Sequence, residues 1–258
     1  MISPTAEYAR VLFGALLLVV VALLVLRAVR KDRREYQRFK SFIRSDRRQR
    51  MYRKWLIQSA TVFGGGSLLL LALLWRHVPL LLADINGVAW IDQLRSGFSA
   101  SGALGPGIML AGSFAVLALL VIGVFAARRG DPVASIGDIV ALLPRNRAEL
   151  RYGAALSINA GIVEELMFRL AIPTLIFAVT RNGAVSFALA VVLFALLHLY
   201  QGAEGVVGSG LIGVVLMTIF VATGSIVAAI IVHAFIDLRS LVLIPLVVNR
   251  VWNTDVER

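Results

Sequence analysis

The chain has 258 residues, of which 59% are hydrophobic, with a formal net charge of +11 and no cysteine. A soluble domain carries about 45–50% apolar residues, so this composition excludes an ordinary soluble globule. The missing cysteine excludes disulfides, thiolate metal sites and cysteine nucleophiles.

The first apolar run, "VLFGALLLVVVALLVL" (11–26), is continuous. A hydrocarbon core of about 30 Å needs about 20 apolar residues in a helix. The run lacks a basic leading segment and a small-residue cleavage site, which predicts an anchor and not a removed signal peptide. Residues 27–54 follow and hold thirteen of the 26 Lys and Arg. Such a cluster predicts a cytoplasmic segment. Within it Tyr36, Phe39 and Ile43 recur at helical spacing, so a basic amphipathic helix could lie on anionic lipid. No nucleic-acid partner is expected, because the segment is tethered at both ends to membrane spans.

Spans are predicted at 9–28, 55–75, 104–127, 152–179, 183–200, 205–222 and 225–247. The fold class is all-α: a polytopic transmembrane bundle of about seven spans. A barrel is excluded because the runs are continuous and do not alternate apolar with polar. Alternation puts the N-terminus outside, 76–103 outside, 128–151 inside and the C-terminus in the cytoplasm. Arg128, Arg129, Arg145, Arg147 and Arg151 agree with that order. "PVASIGDIVALLPRNR" (132–147) could hold a short interfacial helix, "TRNG" (180–183) is a tight external turn, and Ser225 in "TGS" caps the last span. Residues 1–103 form an N-terminal two-span region and 104–258 the membrane domain that carries the polar motifs.

Those motifs lie between 164 and 237. Glu164, Glu165, Arg169, His198, His233 and Asp237 fall within predicted spans. A charge at the bilayer centre costs from about 2.5 kcal/mol upward, so such residues face the bundle interior and are candidates for function. At 100° per residue Glu165 and Arg169 stand about 40° apart and can pair, whereas Glu164 stands about 140° from Arg169. Glu164 is therefore the carboxylate less neutralised by that arginine, which suits a general base. Phe194 and His198, and again His233 and Asp237, share the i, i+4 spacing. A single Glu–Arg pair or histidine can be a packing device. Here two of the three histidines accompany the acidic pair on separate helices, which predicts one polar site.

"EELMFR" (164–169) fits E-E-x-x-x-R, "FALLH" (194–198) fits F-x-x-x-H and "HAFID" (233–237) fits H-x-x-x-N/D. Their order and spacing resemble the CPBP family, the CAAX prenyl protease and bacteriocin-processing group of intramembrane endopeptidases. The resemblance covers about 150–240 and none of the first hundred residues. It implies a glutamate-dependent peptide hydrolase. Glu164 and His198 would activate a water, Glu165 and Arg169 would hold the geometry, and His233 and Asp237 would stabilise the oxyanion. Asp237 stands where the prenyl proteases proper carry Asn. An ionised Asp accepts hydrogen bonds but donates none, so Asp237 either is protonated or orients His233 instead, and orientation is the expectation.

No cofactor and no metal ligand set is expected. A zinc protease usually shows H-E-x-x-H on one helix, which is absent. Glu164, His198 and His233 could still form a His₂Glu site from three helices. Ser209 in "VVGSGL" could serve as a nucleophile with His233, but that leaves the acidic pair without a role. A non-catalytic membrane adaptor keeping the fold is the other alternative. The expected partners are a membrane-associated peptide or protein substrate and anionic lipid at 27–54, and the expected location is a bacterial inner membrane.

Overall fold

The computed structural model describes residues 7–100, 121–122, 124, 138–248 and 251, and no strand occurs among them. The predicted span at 104–127 lies outside the described residues save for three.

Helix α1 (Glu7–Leu26) passes through a π-helical turn, Arg27–Asp32, into α2 (Arg33–Lys40). The chain then reverses into α3 (Ser45–Ser59), a second π turn at Ala60–Gly65, and α4 (Gly66–Leu74). The segment expected as a loop at 76–103 instead forms two short helices, α5 (Val78–Asn86) and α6 (Ala89–Ala100). A long run follows from α7 (Arg147–Glu165) through a π turn, Leu166–Ala171, to α8 (Ile172–Thr180). Then come α9 (Gly183–Leu197), α10 (Gly202–Thr223), α11 (Ile226–Leu238), a fourth π turn at Arg239–Leu243 and α12 (Ile244–Val247). Between Asp138 and α7 only a 3₁₀ turn, Val140–Leu142, is helical.

The boundaries follow from local chemistry. Side chains of Asn146, Asn182 and Ser225 accept from the backbone N–H of Glu149, Val185 and Ala228, each satisfying an orphan donor of the first turn. Arg181 (φ 58°) and Gly224 (φ 67°) end α8 and α10 in the left-handed region. The two short helices reinforce these ends. Asp84 on α5 accepts from Gly183 N at 2.7 Å, at the start of α9. Arg95 on α6 donates to Val221 O at 2.7 Å, at the end of α10.

Four helical runs are long and apolar enough to cross a bilayer: Tyr8–Lys40, Ser45–Leu74, Leu199–Thr223 and Ile226–Val247. Gly183–Leu197 is a shorter apolar helix. The run Arg147–Thr180 has the length, but Glu164, Glu165 and Arg169 interrupt its apolar composition. Leu18, Leu69, Leu189, Leu211 and Val227 are exposed along these helices, as lipid-facing side chains are. The protein is thus an integral membrane helix bundle. Its core packs Phe13 and Leu24 of α1 and Leu70 and Leu74 of α4 against Phe168, Leu175, Leu193 and Phe194.

At the basic end α2 and α3 fold back onto α7. Phe39, Met51 and Tyr52 bury themselves against Trp55, Leu142, Tyr152 and Leu156. Tyr36 and Phe39 therefore face the protein's own interior and not lipid, whereas Ile43 is 89% exposed. Arg48 is the pin of this hairpin. Its Nε contacts Glu149 at 3.0 Å, and one terminal nitrogen donates to Tyr52 Oη and to the carbonyls of Ala141 and Leu143. Glu149 in turn accepts from Ser45 Oγ and Arg145 N.

Candidate active site

Small residues decide which helices meet. Gly153, Ser157 and Gly161 repeat every fourth position on α7, the spacing that lets membrane helices approach closely. A Cβ on Gly161 would stand 2.9 Å from Ala234 Cβ and 3.0 Å from Ile230 O, and one on Gly153 would stand 2.6 Å from Leu241 O. Only glycine allows this approach of α7 to α11 and the π turn after it. The contact places the glutamate pair at the end of α7 beside His233 and Asp237 of α11.

Glu165 is fully buried and bridges two helices. Its Oε2 lies 3.0 Å from Arg169 Nε, the pairing expected from the i, i+4 spacing. Its Oε1 lies 2.8 Å from His233 Nδ1. A carboxylate only accepts, so Nδ1 carries a proton and donates it. Asp237 was expected to orient His233, but its Oδ2 lies 3.8 Å from Nε2, beyond a hydrogen bond. Glu165 performs the orientation instead. His233 Nε2 is left facing Asp237 and Glu164, the latter at 3.9 Å. Arg169 is fully buried, and none of its guanidinium nitrogens makes a hydrogen bond of good geometry among the described residues. The guanidinium lies over the Phe194 ring, 5.3 Å from its centroid, a cation–π contact.

His198 ends α9. Its Nδ1 lies 2.8 Å from Phe194 O, a carbonyl that can only accept, so Nδ1 donates and Nε2 keeps its lone pair. Phe194 is the centre of the group: its ring packs against His198 (4.7 Å), His233 (6.1 Å) and Phe168 (5.2 Å).

Glu164, His198, His233 and Asp237 line one cavity of about 430 Å³. Arg169 and Glu165 stand behind it. The rest of the wall was not legible from spacing. Arg27, Asp32, Tyr36, Tyr52, Trp55, Ser59 and Phe63 come from the N-terminal helices and their π turns. Arg27 Nε lies 3.3 Å from both carboxylate oxygens of Asp32. Asn159 on α7 donates to Ser59 Oγ at 2.9 Å and ties the two walls together. Tyr200 and Gln201 complete the rim. Every π turn among the described residues lends a side chain to this cavity or to a small one beside it. Such turns recur at functional sites, but no sequence period announces them. Among the described residues no three His, Asp or Glu side chains are grouped to hold a metal ion. Ser209 lines the cavity as well, and small-residue packing of α10 accounts for its place.

Residues 146–239 match the family of type II CAAX prenyl endopeptidase Rce1-like proteins. The match supports CPBP family membership for this segment, about a third of the chain. Its matched segment runs from the cap of α7 to the fourth π turn and contains all six polar residues named above. No curated protein and no solved structure matches the chain. The match supports a membrane protease of the CAAX type.

Proposed function

We propose that the chain is an intramembrane endopeptidase in which Glu164 and His198 activate a water to cleave a peptide bond of a membrane-associated substrate. One observation carries this reading. Glu164 and His198 come from different helices into one cavity, and each presents an uncommitted acid–base atom. Glu164 makes no hydrogen bond to any described residue, and His198 has its Nδ1 satisfied by Phe194 O.

In the proposed reaction the water oxygen attacks the scissile carbonyl carbon while its proton passes to Glu164 or His198. The carbonyl electron pair moves to oxygen, and His233 Nε2 faces that oxyanion. Collapse expels the amine, which takes up the proton, leaving a carboxylate and an amine from peptide and water. Arg169 and Glu165 act through His233 by fixing its ring.

Replacing Glu164 by Gln removes the base and keeps the shape. Hydrolysis of an internally quenched peptide with a hydrocarbon anchor is expected to fall at least about 10²-fold, with thermal unfolding unchanged. Full activity in that variant overturns the reading. The metal-free form of the reaction has its own test: a strong chelator should leave the rate unchanged and the purified protein should carry no stoichiometric zinc. One bound zinc, lost together with activity in His198→Ala, would promote the metalloprotease.

The surroundings belong to the same proposal. Residues 1–103 act as an N-terminal addition to a 104–258 protease domain in a bacterial inner membrane. The N-terminus lies outside and the C-terminus in the cytoplasm. Arg33, Arg34, Arg38, Arg44, Arg47, Arg50 and Arg53 are exposed on α2, α3 and the turn between them, and support contact with anionic lipid headgroups. A reporter fused after Lys54 should read cytoplasmic and one near Gly97 external; the reverse reading overturns the orientation.

A further inference from the structure

Two donors commonly share the developing charge of a tetrahedral intermediate. His233 Nε2 is one. Asp237, the other residue that the family pattern offers, donates nothing when ionised. The cavity contains another group with a proton to give. Tyr200 follows His198 by two residues and sits on the 3₁₀ turn Leu199–Gln201. Its ring stacks on His198 (6.1 Å, 29° between planes) and meets Tyr36 edge-on at 5.4 Å. Gln201 Nε2 donates to its hydroxyl oxygen at 2.8 Å. Among the described residues the hydroxyl accepts this bond and donates none. Gln201 is fixed in turn, because its carbonyl accepts from Asp138 N at 3.0 Å and its own N–H donates to His198 O at 2.9 Å. The phenol is therefore held by ring contacts with His198 and Tyr36 and at its oxygen by Gln201, with its proton left over, on the wall it shares with Glu164 and His198.

We propose that Tyr200 is a further catalytic residue, its O–H donating to the oxyanion of the tetrahedral intermediate alongside His233 Nε2. The assignment rests on the hydrolytic reading above. In the reaction the carbonyl pair moves onto oxygen as the water's oxygen bonds to carbon, and Tyr200 keeps its proton throughout. A donor of this kind stabilises the transition state and not the bound substrate.

The test uses the full chain in nanodiscs and compares Tyr200→Phe with wild type on an anchored, internally quenched peptide. Removing one oxyanion donor is expected to lower kcat about 10²–10³-fold, with KM within about twofold and the unfolding midpoint unchanged. A phosphinate analogue of the same peptide, tetrahedral at the scissile position, should lose affinity by the same factor as kcat/KM. A merely structural tyrosine would not give that parallel. Glu164→Gln in the same assay separates the two ideas. An active Tyr200→Phe beside a dead Glu164→Gln overturns the role of Tyr200 alone. Equal activity of wild type and both variants overturns the hydrolytic reading and the role of Tyr200 with it. A Tyr200→Phe protein that loses activity through KM or through unfolding also overturns the oxyanion role.

Discussion

The molecule buries two arginine–glutamate pairs, and they are built differently. Arg48 and Glu149 come from helices far apart in sequence and are wrapped in neutral partners: the phenol of Tyr52 and two carbonyls around the arginine and, around the glutamate, Ser45 and a backbone N–H. Arg169 and Glu165 are one turn apart on the same run and nearly bare. Apart from Arg169, the hydrogen-bonded partner of Glu165 is His233. A pair tied to several backbone groups holds backbone in place, although Arg48 Nη1 itself makes no hydrogen bond among the described residues. A bare pair that ends on a cavity-lining histidine transmits its position to that ring. Both are fully buried, so burial alone does not tell them apart; what each touches does.

Variants can break this contrast. Glu165→Gln is expected to have the largest effect. It leaves Arg169 buried without its counter-charge at about 3–5 kcal/mol, and loosens His233, so kcat should fall about 10²–10³-fold. Unfolding in detergent and peptide hydrolysis measure the two losses, and a stable, active variant would sink the transmission idea. Arg48→Met should cost a similar 3–5 kcal/mol or so, yet the folded fraction should keep wild-type kcat. A large kcat defect at equal folding would show that the two pairs are not distinct. Gly161→Val comes next. It forces α7 from α11 at the contact with Ala234, at about 1–3 kcal/mol, and activity should fall more than stability does; retention of full activity would mean that the close approach does not set the site. The double variant Arg48→Met, Glu149→Leu sharpens the comparison. Replacing both members of a buried pair is often neutral or stabilising by about 1–4 kcal/mol, so it should recover most of what Arg48→Met loses. Ile43→Ser, on the exposed edge of the hairpin, should change stability by no more than about 0.5 kcal/mol.

Spacing made part of this legible. The Glu165–Arg169 pair and the convergence of His198, His233 and the glutamates could be expected because helical periodicity and the cost of charge in lipid act locally. The helical class was legible for the same reason. What connects helices was not. That Glu165, and not Asp237, holds His233 depends on how deeply α11 approaches α7. The signal for that approach was present in Gly153, Ser157 and Gly161 but is common to simple packing. Tyr200 carried no signal at all, since the role proposed for it rests on a hydrogen bond from its neighbour Gln201. The helices α5 and α6 were missed because each is too short to show a membrane-span pattern, although their Asp84 and Arg95 cap helices of the bundle.

One consequence of the cavity wall reaches beyond this site. Residues 27–63 supply Arg27, Asp32 and Phe63 to the chamber, yet they lie outside the segment shared with the family, 146–239. On the proposed reading, the bond-breaking groups and part of the chamber wall that would meet a substrate lie in separate stretches of one chain. Substitutions at Arg27, Asp32 or Phe63 would widen, narrow or recharge the chamber without replacing Glu164 or His198. In such a design selectivity is tuned from the first stretch and reactivity from the second.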